Sequence, residues 1–173
     1  MITKYFIQRK IRKLSAKSPH RPHHSLSWDK VHSLLILYNR PDHEKIQKIL
    51  DTLRKENKEV YTCVFLPAKT ASPSKDKRVI PMHEKDDISL WGFPRKAVKE
   101  KILAVKADIL IDLTRPDCLQ LHYAALLHAC AFKVGIIYPE KEWYDLGLSL
   151  TDKKDVQYSF EQILFYLRSI RSK

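Results

Sequence analysis

Between residues 107 and 138 the chain runs through a sequence of segments that leaves few folds open. Ala107-Asp108-Ile109-Leu110-Ile111-Asp112-Leu113-Thr114 is followed by Arg115-Pro116-Asp117, then by a stretch from 118 to 131, then by Phe132-Lys133-Val134-Gly135-Ile136-Ile137-Tyr138. Ile109, Leu110 and Ile111 form an unbroken apolar run, as expected of a strand covered on both faces. Leu119, Leu121, Tyr123, Ala124, Ala125, Leu126, Leu127 and Cys130 make the next segment apolar nearly all round, and a helix of that kind is buried rather than laid on a surface. Strand, helix and strand in this order form a βαβ unit, which implies a parallel sheet and a right-handed crossover.

The same logic appears earlier. Residues 31–38 read as a strand centred on Leu34-Leu35-Ile36-Leu37. Residues 43–57 read as an amphipathic helix with Ile46, Ile49, Leu50 and Leu53 inward, and 59–66 as the next strand. Residues 67–77 form a polar loop. Short strands are expected at 78–82 and 87–90, with Gly92 making the turn after the second. A helix follows to about residue 105. A helical turn is expected at 139–143, a last strand at 144–150, and a closing helix opened by a capping box at Ser159-Phe160-Glu161-Gln162. The fold class is therefore α/β: a single Rossmann-like three-layer domain over residues 27–173, with a mostly parallel sheet of five to six strands.

Residues 1–26 stand apart by charge. The 173-residue chain has a net charge of +12, and residues 1–24 carry seven basic residues and no acid. Ile7, Ile11 and Leu14 share one face of a helix over 3–15, while Lys4, Arg9, Lys10, Arg12, Lys13 and Lys17 supply the charge. Such a basic N-terminal helix or arm points to an anionic partner: a membrane surface, RNA or an acidic protein. The alternative is a helix packed on the domain with its charges in water. The Pro- and His-rich segment 18–25 reads as a linker, and His20, His23 and His24 lack the fixed ligand set of a metal centre.

Three cysteines, Cys63, Cys118 and Cys130, all in apolar surroundings, read as core thiols of a reducing compartment. No apolar run approaches the roughly 20 residues of a membrane span, and no signal-peptide pattern follows the basic start. The expectation is a cytoplasmic protein, peripheral to the inner membrane if lipid is the partner.

One constellation bears on small ligands. Arg40-Pro41-Asp42 and Arg115-Pro116-Asp117 each follow a buried strand and open a helix, preceded by Asn39 and Thr114 as candidate N-caps. If the two strands are neighbours at a topological switch point, Asn39, Arg40, Asp42, Thr114, Arg115 and Asp117 line one crevice suited to a phosphate-bearing ligand. Capping alone is the competing explanation. No glycine stands in either turn, as a dinucleotide fingerprint requires, and no P-loop, nucleophile elbow or HExxH occurs. His122 reads as a satisfied core histidine and His128 as a rim residue. No catalytic residue, cofactor or metal is assigned, and a non-enzymatic binding or adaptor module is expected ahead of an enzyme.

Two resemblances follow from these residues. The basic start Lys4-Tyr5-Phe6, Trp91-Gly92, Asp108-Ile109-Leu110-Ile111-Asp112-Leu113 and Tyr144-Asp145-Leu146 resemble a domain-of-unknown-function family of Bacteroides and related bacteria, over nearly the whole chain. It implies no activity. Residues 30–138, through Asp108-Ile109-Leu110-Ile111-Asp112-Leu113 and Lys133-Val134-Gly135, resemble the N-terminal Rossmann-like domain of heptosyltransferase-type glycosyltransferases in order of elements. That resemblance implies the fold and places Asp42 near the family's catalytic carboxylate. Its glycine-containing loops are replaced here by Asn39-Arg40-Pro41-Asp42 and Thr114-Arg115-Pro116, and its nucleotide-sugar domain has no counterpart, which argues against transferase activity.

Overall fold

The structure, a computed structural model, describes residues 2–17, 27–138, 143–149 and 155–170. The elements in chain order are α1 (Ile2–Ser15), β1 (Ser33–Asn39), α2 (His43–Lys55), β2 (Glu59–Leu66), β3 (Val79–His83), α3 (Lys96–Leu103), β4 (Ile109–Asp112), α4 (Leu119–Leu127), β5 (Phe132–Ile137), β6 (Leu146–Ser149) and α5 (Val156–Ser169). The six strands form one sheet in the order β3-β2-β1-β4-β5-β6. Every pairing is parallel. This is the doubly wound Rossmann-like order, with its reversal between β1 and β4.

Alternate residues of each strand feed opposite faces. Leu34, Ile36 and Tyr38 of β1 pack with Ile46, Leu50 and Leu53 of α2 and with Phe160, Ile163 and Leu164 of α5. Leu35 and Leu37 face the other way, toward Val98 and Ile102 of α3 and Leu121, Ala124 and Ala125 of α4. Helix α4 has a further apolar side, because Leu119 and Tyr123 do not face the sheet. They meet Ile7 and Ile11 of α1, with Trp143, in a separate cluster. The N-terminal helix thus lies against α4 as an extra layer, and it is why α4 is apolar all round.

Several expectations change. Residues 87–90 form no strand: Ile88 makes a single antiparallel bridge to Pro94, closing a tight loop. Gly92 does make the turn, at φ 81°. The closing helix begins one turn before the expected capping box, with Asp155 as N-cap, and Ser159 is buried inside it, donating its hydroxyl to the Asp155 carbonyl. Helix α4 opens at Leu119 after Cys118 and ends at Leu127. His128 is buried, not at the rim. The Cys130 N–H donates to its Nδ1 at 3.1 Å, and its Nε2 lies 2.9 Å from the Val105 carbonyl, which fixes a neutral ring. The expected linker with its histidines and most of the turn at 139–143 lie outside the described residues. Among the described residues no disulfide is formed, and Cys63, Cys118 and Cys130 are buried thiols.

The last two strands depend on the absence of two Cβ atoms. Gly135 of β5 and Gly147 of β6 are opposite one another in the register. A Cβ on Gly135 would stand 2.4 Å from the Tyr144 ring, and one on Gly147 would stand 2.1 Å from Ile137 Cδ1. Glycine inside these strands marks close approach of a neighbouring side chain.

Candidate functional site

The chain ends of β1 and β4 lie side by side, because Leu37 and Asp112 are register partners in adjacent strands. The loops that follow are tied to each other across this switch point. The Arg115 N–H donates to Asn39 Oδ1 at 2.9 Å. The Arg115 guanidinium donates twice to the Asp42 carboxylate, Nε to Oδ2 at 3.1 Å and Nη2 to Oδ1 at 2.9 Å. This forked geometry is the strong form of an arginine–carboxylate pair. The Asp42 side chain is only 6% exposed, whereas that of Arg115 is 48% exposed.

The expected capping roles are not found. Neither Asn39 nor Asp42 makes a side-chain cap bond to its own helix end. Both side chains serve Arg115 instead. Thr114 is buried, with its N–H donated to Asp112, and the N-cap of α4 is Cys118. Arg40 turns away from the crevice and pairs with Glu44 one helical turn on, at 2.7 Å. Asp117 is exposed on its loop. Of the six residues expected there, Asp42 and Arg115 line the resulting cleft, of about 250 Å³, with Lys45, Tyr138, Asp155 and Ser159. Lys45 is itself paired with Asp155 at 3.0 Å. Each of the two cations in the cleft is therefore already matched by a carboxylate.

Beneath the cleft lies a buried network that sequence reasoning did not assemble. Asp112 Oδ1 accepts the Thr114 N–H at 2.9 Å, and Oδ2 accepts the Tyr144 hydroxyl at 2.7 Å and faces His122 Nδ1 at 3.1 Å. His122 Nε2 faces the Arg115 carbonyl at 3.1 Å. A carbonyl only accepts, so the hydrogen of this contact sits on Nε2. Burial acts to raise the Asp112 carboxyl, but the charge and hydrogen bond of His122, with the Thr114 and Tyr144 contacts, bring it down to about 2. Burial and the Asp112 charge push the Tyr144 hydroxyl well above its ordinary value. Tyr144 therefore stays a donor. The signal for this network was a carboxylate inside an apolar strand and a histidine on an apolar helix ten residues later. Each needs a buried partner.

A larger open groove, of about 990 Å³, runs along Tyr61, Val79, Ile80, Pro81 and Val105. It starts from the N-terminal ends of β2 and β3, away from the edge where sheets of this kind hold ligands.

The second candidate surface is α1. Ile7 and Ile11 are buried against α4, while Lys4, Arg9, Lys10, Arg12, Lys13 and Lys17 are all exposed. Residues i, i+4 and i+7 share one row of a helix, so Phe6, Lys10 and Lys13 are aligned, with Arg9 beside them. At the head of this row the Phe6 ring meets Trp91 edge to face, with centroids 5.1 Å apart.

The chain belongs to a family of unknown function, DUF6913, which it matches over residues 4–170. The match starts inside α1, so the basic helix is part of the family unit. No curated protein matches the chain, and neither does any solved structure. Among the described residues, no helix is long and apolar enough to cross a membrane.

Proposed function

Because membership of DUF6913 brings no activity with it, we propose a function from the surface of the molecule: it is a binding module that engages an anionic partner through the basic face of α1. The observation that carries this reading is the seating of the helix. Ile7 and Ile11 are anchored on α4, so the charges of Arg9, Lys10 and Lys13 are held on a fixed outer face. A disordered basic tail gives up chain freedom when it binds; a face already ordered by the domain does not. The candidate partners are an anionic membrane surface, RNA or an acidic protein, and the working location is the cytoplasm, at the inner membrane if the partner is lipid.

The test is binding to heparin, RNA and anionic vesicles at low and high ionic strength, with wild type and Arg9→Glu/Lys10→Glu/Lys13→Glu. The reading expects binding to at least one polyanion that weakens steeply with salt and is lost in the variant. Salt-insensitive binding, or binding that the variant retains, contradicts it.

A phosphate-bearing small ligand at the switch point is the second reading. It is favoured by the half-exposed Arg115 guanidinium at the C-terminal ends of β1 and β4. It ranks lower because Asp42 and Asp155 already match the cations of the cleft. Thermal stabilisation by inorganic phosphate that Arg115→Ala abolishes would promote it; no shift would remove it.

A further inference from the structure

We infer that the anionic partner of the α1 face is a lipid bilayer, and that the Leu90-Trp91 turn with Phe6 is the element that enters its interfacial region. This rests on the basic-face reading and goes beyond it, by choosing the partner and naming an apolar contact.

The turn is built for presentation. The Gly92 N–H donates to the Ser89 carbonyl at 2.9 Å, which places Leu90 and Trp91 at the two central positions of a β-turn. The flanks are locked: the Ser89 N–H donates to the Phe93 carbonyl at 2.8 Å, the Phe93 N–H to Ser89 Oγ at 3.2 Å, and the Arg95 N–H to the Asp87 carbonyl at 2.7 Å. Central turn positions are ordinarily taken by Pro, Asn, Asp, Ser or Gly. Here they hold a leucine that is 89% exposed and a tryptophan that is 57% exposed. Neither side chain is needed to fill the core, and a single apolar tip of this size in water is a cost to the isolated protein.

The surroundings select the partner. Phe6 packs on Trp91, and Tyr5 meets Phe6 edge-on at 5.8 Å, so three exposed aromatic side chains form one patch, next to the exposed Leu90 in the turn. Lys10 and Lys13 continue the Phe6 row, Arg9 lies beside it, and no acid occurs in α1. Arg95 is exposed at the base of the turn. An apolar and aromatic tip at the head of a basic row matches the anionic interface of a membrane, where tryptophan and tyrosine settle at headgroup depth and lysine stems run along the apolar boundary. Single-stranded nucleic acid would use the aromatic rings for stacking but gains nothing from Leu90. Attachment of such a face strengthens with the apolar area it buries and with its attraction to anionic lipid, so the tip and the basic row act together.

The experiment uses the full chain with vesicles of phosphatidylcholine alone, or with one-third phosphatidylglycerol, the latter also prepared with brominated acyl chains. Binding is expected only to the anionic vesicles. Brominated lipid is expected to quench a part of the tryptophan emission that Trp91→Phe lacks, and Leu90→Ser should weaken vesicle binding roughly tenfold. A gel shift with RNA runs in parallel. Binding to anionic vesicles without quenching, with Leu90→Ser equal to wild type, overturns the inference while the basic-face reading stands. Binding to RNA but not to vesicles does the same. Failure to bind either one, or heparin, overturns both.

Discussion

Phe6 of the N-terminal helix and Trp91 of the turn before α3 meet edge to face with ring centroids 5.1 Å apart, although 85 positions separate them in the chain. The contact joins the helix and the turn, so the basic row and the apolar tip move as one surface. That surface exists only while α1 is seated on α4.

The seating is open to direct measurement. Ile7 and Ile11 are each nearly fully buried in the cluster with Leu119, Tyr123 and Trp143. Ile7→Ala should lower stability by about 2–4 kcal/mol in chemical denaturation. For the same reason, deleting the helix would uncover the apolar side of α4. Charge reversal on the outer face is the clean way to separate binding from folding. A loss below about 0.5 kcal/mol for Ile7→Ala would mean that the helix is not held as described.

Gly135 and Tyr144 form a second testable pair. Gly135→Ala drives a methyl group into the Tyr144 ring and disturbs its bond to Asp112. A cost of about 1–3 kcal/mol is expected. Tyr144→Phe should lose about 1.5–3 kcal/mol, because its hydroxyl donates to a buried carboxylate. The two sites touch, so a double-mutant cycle should give a coupling above about 0.5 kcal/mol; additivity would contradict the contact.

Asp112 predicts a specific acid response. Burial opposes its ionisation, yet His122, Thr114 and Tyr144 bring the carboxyl from its ordinary 3.8 down to about 2. A depressed carboxyl stabilises the native state above its unfolded value and loses that contribution as pH falls through the folded one. About 2 kcal/mol of stability should therefore disappear between roughly pH 4 and pH 2. Asp112→Asn should be less stable at neutral pH and should lack this part of the acid slope, as read by urea midpoints across pH. An unchanged slope would contradict the assignment.

His128 acts in a higher range. Burial lowers its basicity, and Lys133 adds to the effect against the Val105 hydrogen bond. Its neutral form is favoured by folding, so its contribution is complete above about pH 6.5 and declines below it. His128→Gln should flatten the decline of the stability profile below about pH 6.5, and a profile identical to wild type would exclude the buried neutral ring.

The pair Asp42–Arg115 gives an asymmetric outcome. Arg115→Ala leaves a nearly buried carboxylate without its forked partner and should cost more than Asp42→Asn/Arg115→Ala, which removes the charge as well. Thermal melts of the two variants decide this, and the reverse order would mean that Asp42 is not held as described.

What was legible in the sequence follows from periodicity. Leu34-Leu35-Ile36-Leu37 and Ile109-Leu110-Ile111 announced strands buried on both faces, and the apolar helix between β4 and β5 announced its burial. Periodicity shows an apolar stripe but not what covers it. The fit of Ile7 and Ile11 on Leu119 and Tyr123 needed the folded chain. At the crevice, local statistics made Asn39 a helix cap, whereas the crossing of two loops at the switch point gave its side chain, with that of Asp42, to Arg115. At Ser159 the capping-box pattern was present, yet the N-cap position falls at Asp155 and the serine sits inside the first turns of α5. Residues 87–90 read as a short strand in the sequence. The Ser89–Gly92 hydrogen bond instead closes a turn that carries Leu90 outward.

The most direct measurement is co-sedimentation of wild type and Arg9→Glu/Lys10→Glu/Lys13→Glu with anionic vesicles at low and physiological salt, each variant first shown by its melting curve to be folded. The account predicts that wild type pellets with the vesicles, less so as salt rises, while the folded variant stays in the supernatant. A folded variant that pellets like wild type would contradict it.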